Sequence, residues 1–515
     1  YADIETEILY YVPLGKRYEL WQVTMRNLSD RPRRLRVFSY VEFSWNDARY
    51  DMLCHWPCMA LMADFDTDRI VVDTVAEQLT GVPMYDYIAA DLPVDGYDCS
   101  LKSFIGSYRD ESCPQVLEAG QCSNSAMHSD NCVGVLSSPV PLSPGESRRF
   151  HYTLGAAERR EEIAGQIADA FSSATQRTGL QTLREYWSAY CSRQQVETPC
   201  GDMNTMLNLW HAYQAKTTFD WSRFISLYER GVDRGFGFRD SMQDVLGILH
   251  ADAPAAAQRI KLLLSIQKND GSAHSVYYPA TGEAVGGGRS DDHLWSVFSV
   301  CSYIRETGDV GFLEERIAYA DGGDGTVLEH LERGIAFTMV HLGRHGIPDM
   351  LASDWNDSLA PMNRGGTGGA ESVFVFFQLA HAAYELLELY RHTNREERSG
   401  PIRKAYEYCR GKLPTVWDGQ WFLRAFTPEG EKYGTHEDEW NRLYLNPQSW
   451  SVLSRLPDAG QANLAMDQVM KYLYTPQGLL THTPASSGFD RQEKGYYLFT
   501  AGARENGGIF FHSNT

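Results

Sequence analysis

The feature that most constrains the fold is a change of hydrophobic period part-way along the chain. Before about residue 157, segments such as residues 19–25 and 35–41 are rich in β-branched and aromatic residues in partial alternation. From residue 158 apolar residues recur at helical spacing, and residues 254–267, 293–305, 372–390 and 461–473 each predict a helix. A chain of 515 residues also exceeds what one hydrophobic core usually serves. We therefore expect at least two domains, first β and then α.

The boundaries of these regions follow from the same pattern. Turn-forming residues separate the early segments, so residues 1–157 predict an antiparallel β-sandwich. Residues 158–198 predict a helical linker, and residues 199–515 predict helix pairs arranged as a toroid, whose pocket is formed by loops at one end of the inner helices. The chain opens at Tyr1 inside strand-like sequence and stops at Thr515 directly after a motif. We expect both terminal domains to be truncated.

Charge and cysteine content exclude several classes of function. The chain has 47 basic and 67 acidic residues, and its formal charge of −20 repels nucleic acid and acidic membranes, so a neutral substrate fits better. Ten cysteines are too few for a disulfide scaffold and lack paired CxxC spacing, so we expect free thiols and no metal. There is no leader-like or membrane-spanning apolar segment, which makes the cytoplasm the default location.

The densest polar segment is residues 223–244, with four arginines, four acids and four aromatic residues around glycines. Arginine and carboxylate groups bind sugar hydroxyls and phosphate oxygens, and aromatic faces cover the apolar side of a pyranose. This composition indicates a carbohydrate subsite, with a surface ion-pair loop as the alternative. The glycine runs at 286–288 and 365–369 lack the phosphate-loop pattern and predict flexible loops.

A second segment, residues 349–358, presents three carboxylates and a tryptophan in a loop. Cleavage of a glycosidic bond needs a proton donor, and a desolvated carboxyl beside an indole should have a raised pKa. Asp357 or Asp354 fits that role, and an Asx-turn with a helix cap is the alternative. A third segment, residues 502–512, offers Arg504 and His512 to an anion, although a lone histidine there also fits a structural role.

Together these segments resemble the cellobiose and chitobiose phosphorylase family. Its members carry Arg-Gly-x-Gly-Phe-Arg-Asp-Ser-x-Gln-Asp, Asp-Trp-Asn-Asp and Glu-Asn-Gly-Gly-Ile-Phe segments, and all three occur here in that order. Asn-Pro-Gln-Ser-Trp at 446–450 is a further match, so the resemblance covers about residues 200–515. It implies an inverting glycoside phosphorylase on an (α/α)6 barrel, preceded by a β-sandwich and a helical linker. It also implies a homodimer that uses inorganic phosphate as co-substrate without a cofactor.

The resemblance also assigns roles to residues. It implies that Asp357 is the general acid and that Arg234, Asp240 and Trp355 hold the glucosyl ring. Phosphate-binding positions of the family match two further residues, Arg223 and His512. Members of the family complete the phosphate site with residues further along the chain, which this sequence would lack.

The acceptor side departs from the cellobiose-specific pattern of Tyr, Lys and an upstream Glu. This chain has Phe499, Arg504 and Gly495 at those positions, with Arg491 and Lys494 nearby. Losing a carboxylate while keeping a cation makes the site more positive, so we expect an acidic acceptor such as gluconate, with glucose as the alternative. The substrate is then cellobiose or cellobionic acid, and the product is α-glucose 1-phosphate.

Two other functions stay open at this point. An inverting hydrolase on the same barrel would need a base carboxylate, for which Glu505 and Glu437 are candidates. A non-catalytic glycan-binding protein would bind sugar without turnover. One acid suffices for phosphorolysis, because phosphate arrives already anionic.

Overall fold

The structure is a computed structural model that describes residues 2–43, 61–74, 85–221, 235–279, 281–363, 366, 368–487, 498–510 and 513–514. The described residues divide into two compact units, one running to Ser192 and the other starting at Arg193. The sequence-based division into residues 1–157, 158–198 and 199–515 is finer than this and stays a prediction.

The first unit contains two antiparallel sheets. One has seven described strands in the order β1-β2-β10-β6-β5-β4-β8, and the other has three in the order β3-β9-β7. The strands are β1 (Ile4–Tyr11), β2 (Tyr18–Asn27), β3 (Arg33–Phe38), β4 (Leu61–Asp66), β5 (Arg69–Thr74), β6 (Tyr85–Ala90), β7 (Gly96–Ser100), β8 (Met127–His128), β9 (Cys132–Leu142) and β10 (Ser147–Ala157).

The core of the first unit lies between its two sheets. Buried side chains of the large sheet, such as Val23 and Phe150, share one apolar cluster with Leu136 and Val140 of the small sheet. This confirms the expected sandwich, because each sheet buries one apolar face against the other. Four helices lie in the described part of the unit: α1 (Leu101–Ile105), α2 (Gln115–Ala119), α3 (Arg160–Ala170) and α4 (Ser173–Cys191). Helix α3 places Ile163 and Ile167 on the other face of the large sheet.

The second unit is mainly helical. Its described α-helices are α5 (Gly201–Thr205), α6 (Ala212–Trp221), α7 (Phe238–Leu246), α8 (Ala253–Leu264), α9 (Trp295–Thr307), α10 (Val327–Val340), α11 (Val373–His392), α12 (Ser399–Lys412), α13 (Leu445–Ser454) and α14 (Ala459–Tyr472). A π-helical turn, Met206–His211, joins α5 to α6. Within the described residues, no helix is both long enough and apolar enough to cross a membrane.

These helices form an inner and an outer layer. Helix α7 packs on α9, α9 packs on α11, and α11 packs on α13, while α8, α10, α12 and α14 alternate with them in the chain and pack against their outer side. The first five residues of α11, Val373 to Phe377, are all buried, as expected for a helix that is apolar all round. The alternation is that of an α/α toroid.

Short strands set the ends of the inner helices. A two-residue strand directly precedes α7, α11 and α13, and a 3-10 turn, Asp292–Leu294, precedes α9. The short strands of this unit are β11 (Phe236–Gly237), β12 (Val276–Tyr278), β13 (Glu283–Val285), β14 (Arg316–Ala318), β15 (Asp324–Thr326), β16 (Glu371–Ser372), β17 (Ala425–Phe426), β18 (Lys432–Tyr433), β19 (Leu443–Tyr444), β20 (Tyr474–Thr475), β21 (Gly478–Leu479) and β22 (His482–Thr483).

Candidate active site

A small polar cavity of about 50 Å³ lies at the N-terminal end of inner helix α7, within the second unit. Two predicted site residues, Asp240 and Asp357, line it together. They come from segments that are far apart in the sequence, and the helical layer brings them to one place. The other lining residues are Gly237, Phe238, Arg239, Ser275, Val276, Arg289 and Asp292.

Two arginines hold the carboxylate of Asp357. Arg239 donates from Nη2 to Oδ1 of Asp357 at 2.8 Å, and Arg289 donates from Nη1 to the same oxygen. Burial alone raises the pKa of Asp357, but Arg239 and Arg289 outweigh burial and lower that pKa to about 2. The sequence-based expectation of a raised pKa is therefore wrong for this site, because it considered burial and not the two cations.

Arg239 is fixed in place by several acceptors. Its Nη1 donates to the backbone oxygen of Asp354 at 3.0 Å and lies 3.3 Å from Oδ1 of Asp291. Asp291 is fully buried and also accepts from Nε1 of Trp295 at 3.0 Å. Arg239 thus links the start of helix α7 to the Asp354–Asp357 segment. Apart from its place in the arginine-rich segment, no sequence signal indicates this role.

The choice between Asp354 and Asp357 is resolved by their surroundings. Asp354 is fully buried, and both of its oxygens lie 2.7 Å from Nη2 of Arg424. Asp354 also accepts from Oγ of Ser372 at 2.6 Å and from the backbone N–H of Asn356 at 2.8 Å. Its hydrogen-bonding capacity is committed to the protein, so Asp357 is the carboxyl of this segment that faces the cavity.

Asp292 is a cavity carboxyl that the sequence analysis did not single out. It is buried and accepts from Oγ of Ser275 at 2.8 Å. Burial and the neighbouring Asp291 raise the pKa of Asp292 to about 7, although Arg239 and Arg289 act in the opposite direction. The signal that could have identified Asp292 is the pair of adjacent acids, Asp291 and Asp292, shortly before the apolar helix α9.

Asp240 is positioned by a glycine. It occupies the third residue of helix α7, where a carboxylate interacts favourably with the helix N-terminus. A Cβ atom built on Gly237 would lie 2.4 Å from Oδ2 of Asp240. A methyl group at position 237 would therefore displace the Asp240 carboxylate from this position.

Arg289 was also missed, because the preceding glycine run was interpreted as a flexible loop. All three glycines at 286–288 have positive φ angles, and the backbone oxygen of Gly288 accepts from the N–H of Ala352 at 2.7 Å. Arg289 then forms backbone bridges with Leu351 and Ser353. The glycine run at 286–288 is therefore part of an ordered connection, which places Arg289 beside Asp357.

Trp355 lies elsewhere. It lines a larger cavity of about 530 Å³ together with Asp244, Trp295 and Trp450. Its ring contacts that of Phe510 edge-on, with centroids 5.8 Å apart. The described residues thus bring Asp240 and Asp357 together but do not place Trp355 in the lining of the same small cavity.

The predicted acceptor residues pack against each other. The guanidinium of Arg504 lies over the ring of Phe499, 4.4 Å from its centroid, and Nη2 of Arg504 lies 3.3 Å from Oε1 of Glu505. The second carboxylate oxygen of Glu505 accepts from Oγ of Ser358 at 3.1 Å. This chain of contacts joins Arg504 to the residue that follows Asp357.

Other predicted residues lie outside the described part of the chain. They include the glucosyl-binding candidate Arg234 and the phosphate-binding candidates Arg223 and His512, as well as Arg491, Lys494 and Gly495. Among the described residues, no group of three or more His, Cys, Asp or Glu side chains is arranged to hold a metal ion.

Comparison with known proteins identifies the family. The glycosyl hydrolase 94 superfamily catalytic domain matches residues 186–515, and the glycosyl hydrolase 94 supersandwich domain matches residues 1–174. The chain belongs to the glycosyl hydrolase 94 superfamily. This confirms the family expected from the three motifs and the sandwich that precedes the helices.

Two relatives of the chain are named as disaccharide phosphorylases. The N,N'-diacetylchitobiose phosphorylase of Vibrio furnissii is 32% identical over 545 residues, which cover 100% of this chain and 67% of that protein. The solabiose phosphorylase of Paenibacillus borealis is 31% identical over 520 residues, covering 100% of this chain and 65% of that protein. The chain thus spans about two thirds of their length. The prediction of a glycoside phosphorylase is confirmed at the level of the family.

A solved structure supports the fold. A bacterial glucoamylase complexed with acarbose matches with a TM-score of 0.59 at 9% identity, covering 94% of this chain and 69% of that chain. At this identity the likeness concerns the fold alone. Together with the family matches, it confirms the predicted combination of an antiparallel sandwich and an (α/α)6 barrel.

Proposed function

We propose that this member of the superfamily catalyses the inverting phosphorolysis of a β-1,4-glucosyl disaccharide to α-glucose 1-phosphate and the acceptor sugar. The observation that carries the proposal is the position of Asp357 in one cavity with Asp240. Asp357 is the carboxyl that would protonate the glycosidic oxygen, while Asp240 and Arg239 offer an acceptor and donors to sugar hydroxyls.

The reaction balances without a cofactor. Asp357 gives its proton to the bridging oxygen as the bond from that oxygen to the anomeric carbon breaks. An oxygen of hydrogen phosphate attacks the anomeric carbon from the opposite face, so a β-glucoside gives an α-phosphate. The phosphate ester then loses its proton, which restores the carboxyl of Asp357. The proposal assigns inorganic phosphate as co-substrate and no metal or organic cofactor.

Hydrolysis is the alternative chemistry on the same barrel, and it would need a base to activate water. Of the two candidates, Glu437 is exposed, and Glu505 is buried with its oxygens engaged by Ser358 and Arg504. Each oxygen of Glu505 already accepts a hydrogen bond from a protein donor, which leaves fewer lone pairs to hold an attacking water. These surroundings favour phosphorolysis.

For the acceptor, we propose glucose or gluconate, so that the substrate is cellobiose or cellobionic acid. Arg504 supports an acidic acceptor because its cation lies on the segment that contacts Ser358, next to Asp357. Glu505 already offsets part of that charge. The names of the two relatives point instead to N,N'-diacetylchitobiose and solabiose, and these disaccharides belong in the same test.

The test is the release of a sugar 1-phosphate by the intact enzyme from each of the four disaccharides, with and without phosphate. This product is N-acetylglucosamine 1-phosphate for N,N'-diacetylchitobiose and glucose 1-phosphate for cellobiose and cellobionic acid. We expect product only with phosphate, and the highest kcat/KM with cellobiose or cellobionic acid. Release of free sugar without phosphate would establish a hydrolase, and binding without any turnover would establish a glycan-binding protein. A strong preference for solabiose would refute the acceptor assignment, and a strong preference for N,N'-diacetylchitobiose would refute the glucosyl donor as well.

The acceptor assignment has its own variant. Arg504→Met should raise KM for cellobionic acid by up to about fivefold, the effect of losing one partly exposed charge pair with the acceptor, and leave KM for cellobiose nearly unchanged. An equal effect on both substrates would remove the acidic-acceptor proposal. The homodimer and the cytoplasmic location remain predictions, which sedimentation and fractionation of the source cells would test.

A further inference from the structure

Two arginines stabilise the ionised form of Asp357, whereas the proposed function requires the protonated form. Both guanidiniums donate to the same oxygen, Oδ1, of the carboxyl that should carry the reacting proton. A carboxyl with a pKa of about 2 has roughly 10⁵ times less acid than base form at pH 7. An acid catalyst therefore has to lose at least one of these cations before it reacts.

The two arginines are held very differently. Arg239 is buried and bonds the Asp354 backbone oxygen and Asp291 as well as Asp357. If Arg239 moved away, the buried Asp291 would lose its ion-pair partner, which would destabilise the folded protein. The Arg289 side chain is 30% exposed, and among the described residues Asp357 is its one recorded ion-pair partner. Arg289 is the cation that can be exchanged.

The backbone of Arg289 does not need to move for this exchange. It is bridged to Leu351 and Ser353 on the segment that carries Asp357, and the neighbouring N–H of Ser290 donates to the oxygen of Ser353 at 3.0 Å. Rotation of the long side chain alone changes its partner. The guanidinium then stays within reach of the cavity that it lines.

We propose that Arg289 is a displaceable counter-ion of Asp357. When disaccharide and phosphate bind, the Arg289 guanidinium leaves Asp357 and pairs with an anionic oxygen of the reactants. The inference rests on the proposed function. Arg289 would contact the reactants after the exchange, and its effect on the chemical step is exerted through the protonation of Asp357. The new partner of Arg289 is an anionic oxygen, which comes either from phosphate or from the carboxylate of an acidic acceptor.

The exchange has a defined electrostatic consequence. Among the residues that the structure describes, the charged groups that face Asp357 are Arg239 and Arg289, with the cavity carboxyls Asp240 and Asp292 beyond them. Removing one adjacent cation raises a carboxyl pKa by about 1–3 units. Binding of the reactants would therefore raise the pKa of Asp357 and favour its protonated form, and it would do so only when the anion is present.

The test follows the protonation of Asp357 directly by difference infrared spectroscopy of the intact protein. The relevant signal is the protonated-carboxyl band that disappears in Asp357→Asn, titrated from pH 8 down to about pH 2, where the ligand-free carboxyl is half protonated. Ligands are cellobiose or cellobionic acid, each with and without inorganic sulfate as an unreactive substitute for phosphate. We expect the ligands to raise the apparent pKa of the wild-type band by about 1–3 units.

The variants separate the counter-ion role from a structural one. In Arg289→Met the ligand-free band should already titrate at the higher pH, and ligands should add no further shift. Arg289→Lys keeps the cation and should behave like the wild type, as should Arg316→Met, which removes an exposed arginine paired with Asp324 in the same unit. A shift with cellobionic acid alone identifies the acceptor carboxylate as the new partner, and a shift that needs sulfate identifies phosphate.

Two results would overturn the proposal. One is a wild-type band whose titration does not respond to any ligand combination, and the other is an equal ligand response in wild type and Arg289→Met. Failure of the proposed function is a separate observation, because it appears as missing phosphate-dependent turnover and not as a change in this band.

Discussion

Removal of Arg424 tests the buried ion pair that supports the active-site segment. Arg424 and Asp354 are 2% and 0% exposed, and the guanidinium bonds both carboxylate oxygens at 2.7 Å. Arg424→Met leaves a buried charge whose remaining partners are Ser372 and the N–H of Asn356. Breaking a buried pair costs 3–5 kcal/mol, and the two surviving bonds favour the lower end, so we expect a loss of about 3 kcal/mol.

The assay is urea-induced unfolding followed by tryptophan fluorescence, with Arg316→Met as control. The Arg316–Asp324 pair is 59% and 52% exposed, so its loss should cost less than about 1 kcal/mol. In the double variant Asp354→Leu/Arg424→Met, most of the lost stability should return, because no unpaired charge remains. A cost below about 1 kcal/mol for Arg424→Met, or a double variant less stable than the single one, would refute the reasoning.

Two further predictions concern the cavity. Asp292 has a pKa of about 7 in the folded protein against an ordinary value of 3.8, so its contribution to stability is favourable below pH 4 and is lost as the pH rises toward 7. Asp292→Asn should therefore be more stable than the wild type at pH 8, by up to about 4 kcal/mol, and similar to it at pH 4. Urea unfolding at both pH values measures this difference. Gly237→Ala places a methyl group against Asp240 and should raise KM for the disaccharide at least about tenfold, whereas an unchanged KM would show that Asp240 does not bind sugar.

The architecture follows closely from the sequence, because it depends on local patterns. Residues 254–267 were predicted as a helix, and the structure has Ala253–Leu264, begun by an Asp252 cap with Pro254 in the first turn. The predicted strand at 19–25 lies inside Tyr18–Asn27. Hydrophobic period and end signals are properties of neighbouring residues, and so they can be read without knowing the fold.

The electrostatics of the site do not follow from the sequence in this way. Asp240 and Asp357 belong to recognisable motifs, but the cations that control Asp357 lie 118 and 68 residues before it. Nothing in the local pattern shows that Arg239 and Arg289 converge on one oxygen. The sign of the pKa shift was therefore mispredicted, whereas the identity of the carboxyl facing the cavity was not.

The central claim, that Asp357 protonates the leaving oxygen during phosphorolysis, is tested most directly by Asp357→Asn on two substrates. With the selected disaccharide and phosphate, formation of α-glucose 1-phosphate should fall by about 10²–10⁴-fold, because an amide cannot supply the proton. With β-glucosyl fluoride, whose leaving group needs no proton, the variant should keep most of the wild-type rate. Equal losses on both substrates, or unimpaired turnover of the disaccharide, would contradict the account.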